Sequence, residues 1–79
     1  MDAEAAIASL LGRRAPGASI CPSEAARLLD ADGWRDRMEE VRAAGRALAR
    51  SGRIVVTQGG VRVDPALATG PIRYRAVRP

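Results

Sequence analysis

Three arginines spaced four residues apart are the strongest candidates for chemistry in this 79-residue chain. Arg42, Arg46 and Arg50 fall on one side of a predicted helix, because residues four apart are neighbours on a helical surface. We call this set the arginine stripe. A guanidinium is planar and offers two parallel donors, which suit both phosphate oxygens and the edge of guanine. The spacing favours contact with DNA, against the alternative of a solvated face in which Glu39 partly neutralises Arg42.

A second group of polar and basic residues follows the arginine stripe along the chain. Such residues would contact the phosphate backbone and position a nucleic acid without reading its sequence. The alternative is protection of strand edges, where charge discourages pairing with a foreign sheet. The predicted backbone-contacting residues of this group are Arg53, Gln58, Arg62, Arg73 and Arg75.

Three single residues allow more than one interpretation. Cys21 precedes a predicted helix, where a thiol can become reactive, but a capping role is favoured because no cation is adjacent in sequence. Trp34 could stack on a base, but it begins an apolar helical face and is predicted to lie in or near the core. Tyr74 stands between two arginines, which fits either contact with nucleic acid or packing against the first helix.

The residue inventory argues against an enzyme. The chain has no His and a single Cys, so the commonest general base and the usual zinc ligands are missing. No nucleophile is paired with a base, and no glycine-rich loop follows a strand to hold phosphate. We therefore predict no catalytic residue, no metal and no cofactor.

Apolar runs of at most four residues predict no membrane partner. The acidic start of the chain lacks the basic residues of a signal peptide, and a lone thiol suits a reducing compartment. These features predict a cytoplasmic protein.

Charge is distributed unevenly along the sequence. Residues 1–41 hold five Arg and eight acidic residues, whereas residues 42–79 hold eight Arg and one acidic residue. A basic half is typical of proteins whose partner is a polyanion, and an acidic protein surface also qualifies.

The patterns of apolar residues predict the elements that position these side chains. Apolar residues recur at helical spacing in three segments. β-Branched residues flank a Gly-Gly turn that is typical of a hairpin. Glu39 and Glu40 suit the first turn of a helix, which predicts a break just before them. Residues 72–77 alternate apolar residues with Arg, as in an edge strand or a loose basic tail. One domain, 1–79, is expected, with helix 1 in 1–13, helix 2 in 22–30, helix 3 in 38–51, a hairpin or wing in 53–64 and a basic segment in 65–79.

The order of these elements is that of a winged helix. The predicted fold is mainly α, a three-helix helix-turn-helix core with a two- or three-stranded sheet. In such a domain the third helix enters the major groove of duplex DNA and the hairpin flanks it. We therefore expect a DNA-binding protein, with transcriptional regulation as one role. A protein-interaction module, binding an acidic protein or a second copy, is the alternative, since one fold can host both uses.

Several short strings resemble a small bacterial family of unknown function. The resemblance implies a winged-helix-like fold and brings no established activity. This sequence departs from the family pattern at Glu39, where many members carry Pro. A Pro at that position agrees with a helix that begins nearby. The strings that carry the resemblance are SICPSEAAR at 19–27, Trp34, Met38 with Val41-Arg42, GRI at 52–54, TQ-x-G at 57–60, VDP at 63–65 and GPIR at 70–73.

Overall fold

The computed structural model describes residues 1–77, which form three α-helices and one four-stranded antiparallel sheet. This is a small mixed α/β fold, and the sheet is larger than the predicted two or three strands. The elements in chain order are α1 (Ala3–Arg13), β1 (Ser19–Ile20), α2 (Pro22–Leu29), a 3-10 turn (Trp34–Arg37), α3 (Met38–Arg50), β2 (Ile54–Gln58), β3 (Val61–Arg62) and β4 (Arg73–Ala76).

The helices begin where the sequence predicts, because the capping residues are in place. The carboxylate of Asp2 accepts a hydrogen bond of 2.8 Å from the N–H of Ala5 and caps α1. Helix α2 starts at Pro22, whose missing N–H is harmless in the first turn. Glu24 accepts the N–H of Cys21 at 2.7 Å, which satisfies a donor that the helix itself leaves free. A separate 3-10 turn precedes α3, so the predicted break is confirmed.

The strand nearest the C-terminus lies inside the sheet. The strand order is β1-β4-β2-β3, and β4 pairs with a neighbour on each side. The interpretation of residues 72–77 as an edge strand or a loose tail is therefore wrong. The alternation has a different cause: Tyr74 is fully buried in the core, whereas Arg73 and Arg75 face solvent on the opposite side of the strand.

The core lies between the three helices and one face of the sheet. Burying a large apolar side chain stabilises a fold by roughly 1.5–3 kcal/mol, so a few such residues dominate in a domain of this size. The segment between β3 and β4 closes this core, because Ile72 is buried and Ala68 packs against the cluster. The largest fully buried side chains are Tyr74, Ile7, Ile20, Val41 and Val56.

Candidate nucleic-acid interface

The arginine stripe lies on the side of α3 that faces away from the core. Val41 and Leu48 are buried on the opposite side and fix the rotation of the helix. Arg42 and Arg46 are half-buried, and Arg50 is exposed. The three guanidiniums can therefore reach a partner in solvent while their alkyl stems rest on the protein.

The guanidiniums of the arginine stripe have no carboxylate partner among residues 1–77. Ion pairs within 4.0 Å join two other arginines to acids, Arg14 to Glu24 and Arg37 to Glu40. Arg42 forms no such pair with Glu39, although the spacing of three residues permits one. The positive charge of the arginine stripe is therefore available to an external anion.

A close contact between α3 and β4 sets the distance between this helix and the sheet. The ring of Tyr74 lies directly beneath Gly45, so that a Cβ at this position would come within 2.5 Å of the ring carbon Cζ. Only glycine permits this contact. The sequence carried a signal here, because a glycine inside a helix is less favourable than Ala by about 1 kcal/mol and needs a packing reason. Tyr74 itself does not face solvent, so the alternative in which it contacts nucleic acid is wrong.

The hydroxyl of Tyr74 is buried close to two residues of the arginine stripe. Among the described residues it has no hydrogen-bond partner. Burial raises the pKa of Tyr74 above its ordinary value of 10.0, and the charges of Arg42 and Arg46 offset part of that rise. These two arginines thus lie near enough to act electrostatically on the ring that supports their helix.

A cleft opens between the C-terminal half of α3 and the segment around β3. Its walls carry Arg46 and Arg50 on the helix side and Arg62 on the strand side, and its volume is about 510 Å³. The floor is apolar and consists of residues 54–56 of β2. We call this the α3–β3 cleft. No local pattern in the sequence indicates that the helix and the hairpin would face each other.

The hairpin between β2 and β3 keeps the α3–β3 cleft open. Gly59 and Gly60 form its turn with φ of 58° and 81°, a backbone conformation that favours glycine. The paired register covers only the last two residues of β2, and the N–H of Val63 then bonds to the carbonyl of Val56 at 2.9 Å. Because the pairing is this short, the earlier part of β2 remains available as the cleft floor.

The arginines of β4 lie on the solvent face of the sheet. Arg73 donates to the hydroxyl of Ser19 at 2.6 Å and to its carbonyl at 3.0 Å, so it also ties β4 to β1. The sheet register pairs Thr57 with Arg73 on one side and with Arg62 on the other. Opposite residues on paired strands share a face, so these two arginines flank Thr57, and Arg62, on the edge strand β3, also borders the α3–β3 cleft.

The other two predicted contact residues lie elsewhere. Arg53 borders a groove of about 370 Å³ together with Glu4 and Leu11 of α1. Gln58 donates its side-chain N–H groups to the carbonyls of Thr69 and Pro71 at 2.5 and 3.1 Å. Its amide therefore holds the segment before β4 in place, and the structure does not bring these two residues together with the arginine stripe.

Trp34 and Cys21 occupy structural positions. Trp34 is half-buried against the core, as predicted, and the guanidiniums of Arg27 and Arg35 each lie over its ring, 4.4 Å from the centroid. These cation–π contacts engage the ring within the molecule. Cys21 is the N-cap residue of α2, and its Sγ lies 2.9 Å from the hydroxyl of Ser23.

Fold and cleft together define a small α/β domain with a basic cleft beside its third helix. The chain belongs to the family described as "Protein of unknown function (DUF3253)", which matches residues 1–77. This agrees with the resemblance seen in the sequence. A search of curated proteins finds no match. None of the helices in residues 1–77 has both the length and the apolar composition that a membrane span requires.

Proposed function

We propose that this chain is a winged-helix protein that binds duplex DNA. In this proposal α2 and α3 form the helix-turn-helix, α3 approaches the major groove, and the β2–β3 hairpin with the segment before β4 forms the wing. The protein would be a non-enzymatic binding module, and transcriptional regulation is one use of such a module.

The arrangement of elements supports the winged-helix interpretation. Helix α1 packs against both α2 and α3, and the 3-10 turn connects the latter two. Strand β4 lies between β1 and β2, so after β2 the chain makes an excursion through the edge strand β3 and returns on the other side of β2 as β4. That excursion, residues 59–72, projects next to α3, where a wing belongs.

The observation that carries the proposal is a set of unpaired arginines from two elements around one cleft. Arg46 and Arg50 come from α3, and Arg62 comes from β3. None of them forms an ion pair within residues 1–77. Concentrated positive charge without internal partners attracts polyanions, and duplex DNA is the polyanion that a projecting helix and hairpin can both contact.

The test is a fluorescence-anisotropy titration of a labelled duplex of about 20 base pairs at roughly 50 and 200 mM salt, since phosphate contacts weaken steeply with salt. Replacing Arg42 and Arg46 by Ala should lower the affinity at least about tenfold, because each neutralised phosphate releases counterions on binding. The charge-matched control is R13A/R35A, in which both substituted residues are exposed and lie outside the basic half.

Amide chemical shifts measured during the same titration locate the contact. Salt-sensitive shifts in residues 42–50 and 58–62 support the proposal. Absence of binding by the unmodified protein at low salt would overturn it. In that case sedimentation at increasing protein concentration, alone and with an acidic protein, tests the interaction-module alternative.

A further inference from the structure

Charge is polarised along α3 itself. The first turn carries Glu39 and Glu40, whereas the second half carries Arg46 and Arg50. Arg37, just before the helix, is paired with Glu40 and cannot neutralise both acids. The end of the helix that reads bases in many helix-turn-helix proteins is therefore acidic here.

The helix macrodipole does not reverse this polarity. It contributes about half a positive charge at the N-terminus and half a negative charge at the C-terminus. Glu40 is paired with Arg37, so Glu39 leaves one unpaired negative charge in the first turn, which exceeds the first contribution, and two guanidiniums outweigh the second. A phosphate strand is therefore repelled from the start of α3 and attracted to its end.

The α3–β3 cleft has the shape and chemistry to receive such a strand. Three arginines line it beside an apolar floor, and one acid, Asp64, is also among its lining residues. One carboxylate oxygen of Asp64 accepts the N–H of Ala66 at 2.9 Å, which holds that side chain to its own turn. One negative charge against three positive ones leaves the cleft strongly basic.

The residues that line the cleft favour contact with the sugar–phosphate backbone of DNA rather than with its bases. A guanidinium binds a phosphate through two parallel hydrogen bonds, and an apolar floor accommodates a deoxyribose ring. Among residues 1–77, no aromatic side chain on which a base could stack lines the cleft.

We infer that the α3–β3 cleft holds the sugar–phosphate backbone of one DNA strand through Arg46, Arg50 and Arg62. This inference rests on the proposed DNA binding and specifies its chemistry. Most of the affinity comes from this phosphodiester contact, and the acidic start of α3 stays outside the major groove. Because phosphate contacts carry no sequence information, the protein discriminates weakly among duplex sequences.

The first experiment compares two charge-matched double variants with the duplex titration described above. R46Q/R62Q removes a charge from each wall of the cleft, whereas R13Q/R35Q removes two exposed charges that lie outside the cleft and outside the basic half. We expect R46Q/R62Q to lose at least about tenfold in affinity and to reduce the slope of log affinity against log salt by about two. R13Q/R35Q should lose only a few-fold. Amide spectra of each free variant confirm that it folds.

The second measurement examines the acidic end of α3 in an otherwise unchanged protein. E39Q should alter affinity less than about twofold if the start of α3 stays away from DNA. A large rise in affinity would place that end in the groove and overturn the inference. Selection from a random duplex pool should give no strongly enriched sequence, and a sharp consensus would also overturn it.

The outcomes separate the inference from the proposed function. If the unmodified protein binds duplex DNA but R46Q/R62Q binds equally well, the cleft contact is wrong and DNA binding stands. If the unmodified protein does not bind duplex DNA, both the cleft contact and the proposed function are wrong.

Discussion

The contact between Gly45 and Tyr74 is the residue-scale feature on which the position of α3 depends. Substituting Gly45 by Ala should destabilise the protein by roughly 1–3 kcal/mol, because a new Cβ would overlap the tyrosine ring in a packed core. This loss exceeds the gain of about 1 kcal/mol that Ala brings in helix propensity. Urea unfolding followed by circular dichroism measures the difference.

Gly12 provides a matched control for that substitution. It also lies in a helix, α1, but a Cβ built there meets nothing within 4 Å. Gly12→Ala should therefore stabilise the protein by up to about 1 kcal/mol. If both substitutions shift stability in the same direction, the steric explanation for Gly45 fails.

The buried hydroxyl of Tyr74 gives a pH-dependent prediction. Its pKa is higher in the folded protein than in the unfolded chain because burial disfavours the phenolate. Above pH 10.0 the unfolded chain loses this proton first, so stability should fall as the pH rises further. Below that value the hydroxyl is protonated in both states and its contribution does not change with pH.

Tyr74→Phe isolates this effect. It should remove part of the alkaline loss of stability, measured as melting temperature between pH 8 and 11 against the unmodified protein. Near neutral pH the substitution should be neutral or stabilise by about 1 kcal/mol, because it deletes a buried hydroxyl that lacks a partner. A clear loss of stability at neutral pH would mean that the hydroxyl forms a hydrogen bond.

At the scale of elements, the start of α2 is held by the side chain of Glu24. Partial burial raises the pKa of Glu24, but the N–H of Cys21 and the guanidinium of Arg14 lower it by more, so the net direction is downward. Glu24→Ala should cost about 1 kcal/mol at neutral pH, the usual size of a lost capping contact.

The cost of Glu24→Ala should shrink in acid. A carboxylate with a lowered folded-state pKa stabilises above its ordinary value of 4.5 and loses that contribution as the pH falls through the folded value. Denaturation at pH 7 and at pH 3 measures the cost of the substitution with the carboxyl group ionised and with it protonated. Asp32→Ala is the control, since Asp32 is exposed, lies outside the helices and forms no ion pair within residues 1–77, and it should change stability little at either pH.

Local sequence signals predicted the helices well and the sheet poorly. Caps and acidic first turns are encoded within a few residues, so Asp2, Pro22 and Glu24 identify where α1 and α2 begin. The position of β4 depends on pairing with Ser19–Ile20, more than fifty residues away, and no local pattern encodes that partner. The α3–β3 cleft could not be predicted for the same reason, although each of its arginines was singled out.

At the scale of the whole molecule, the imbalance of charge visible in the sequence becomes a basic surface. Arg46, Arg50 and Arg62 lie around one cleft and repel one another. Within residues 1–77 the opposing attractions are two ion pairs at partly exposed positions, and such pairs contribute about 0–1 kcal/mol each. Repulsion should therefore exceed attraction in the folded state at low ionic strength.

Added salt should raise the melting temperature of the protein. Between roughly 10 and 200 mM NaCl the screening length falls from about 30 Å to below 10 Å, which weakens repulsion among the unpaired arginines. Differential scanning calorimetry measures the shift, and R46Q/R62Q should show a smaller one because two of the repelling charges are gone. A melting temperature that falls with salt would mean that attraction between the acidic and basic halves dominates. The arginines would then be partly satisfied within the molecule, and the electrostatic argument for a DNA partner would lose its basis.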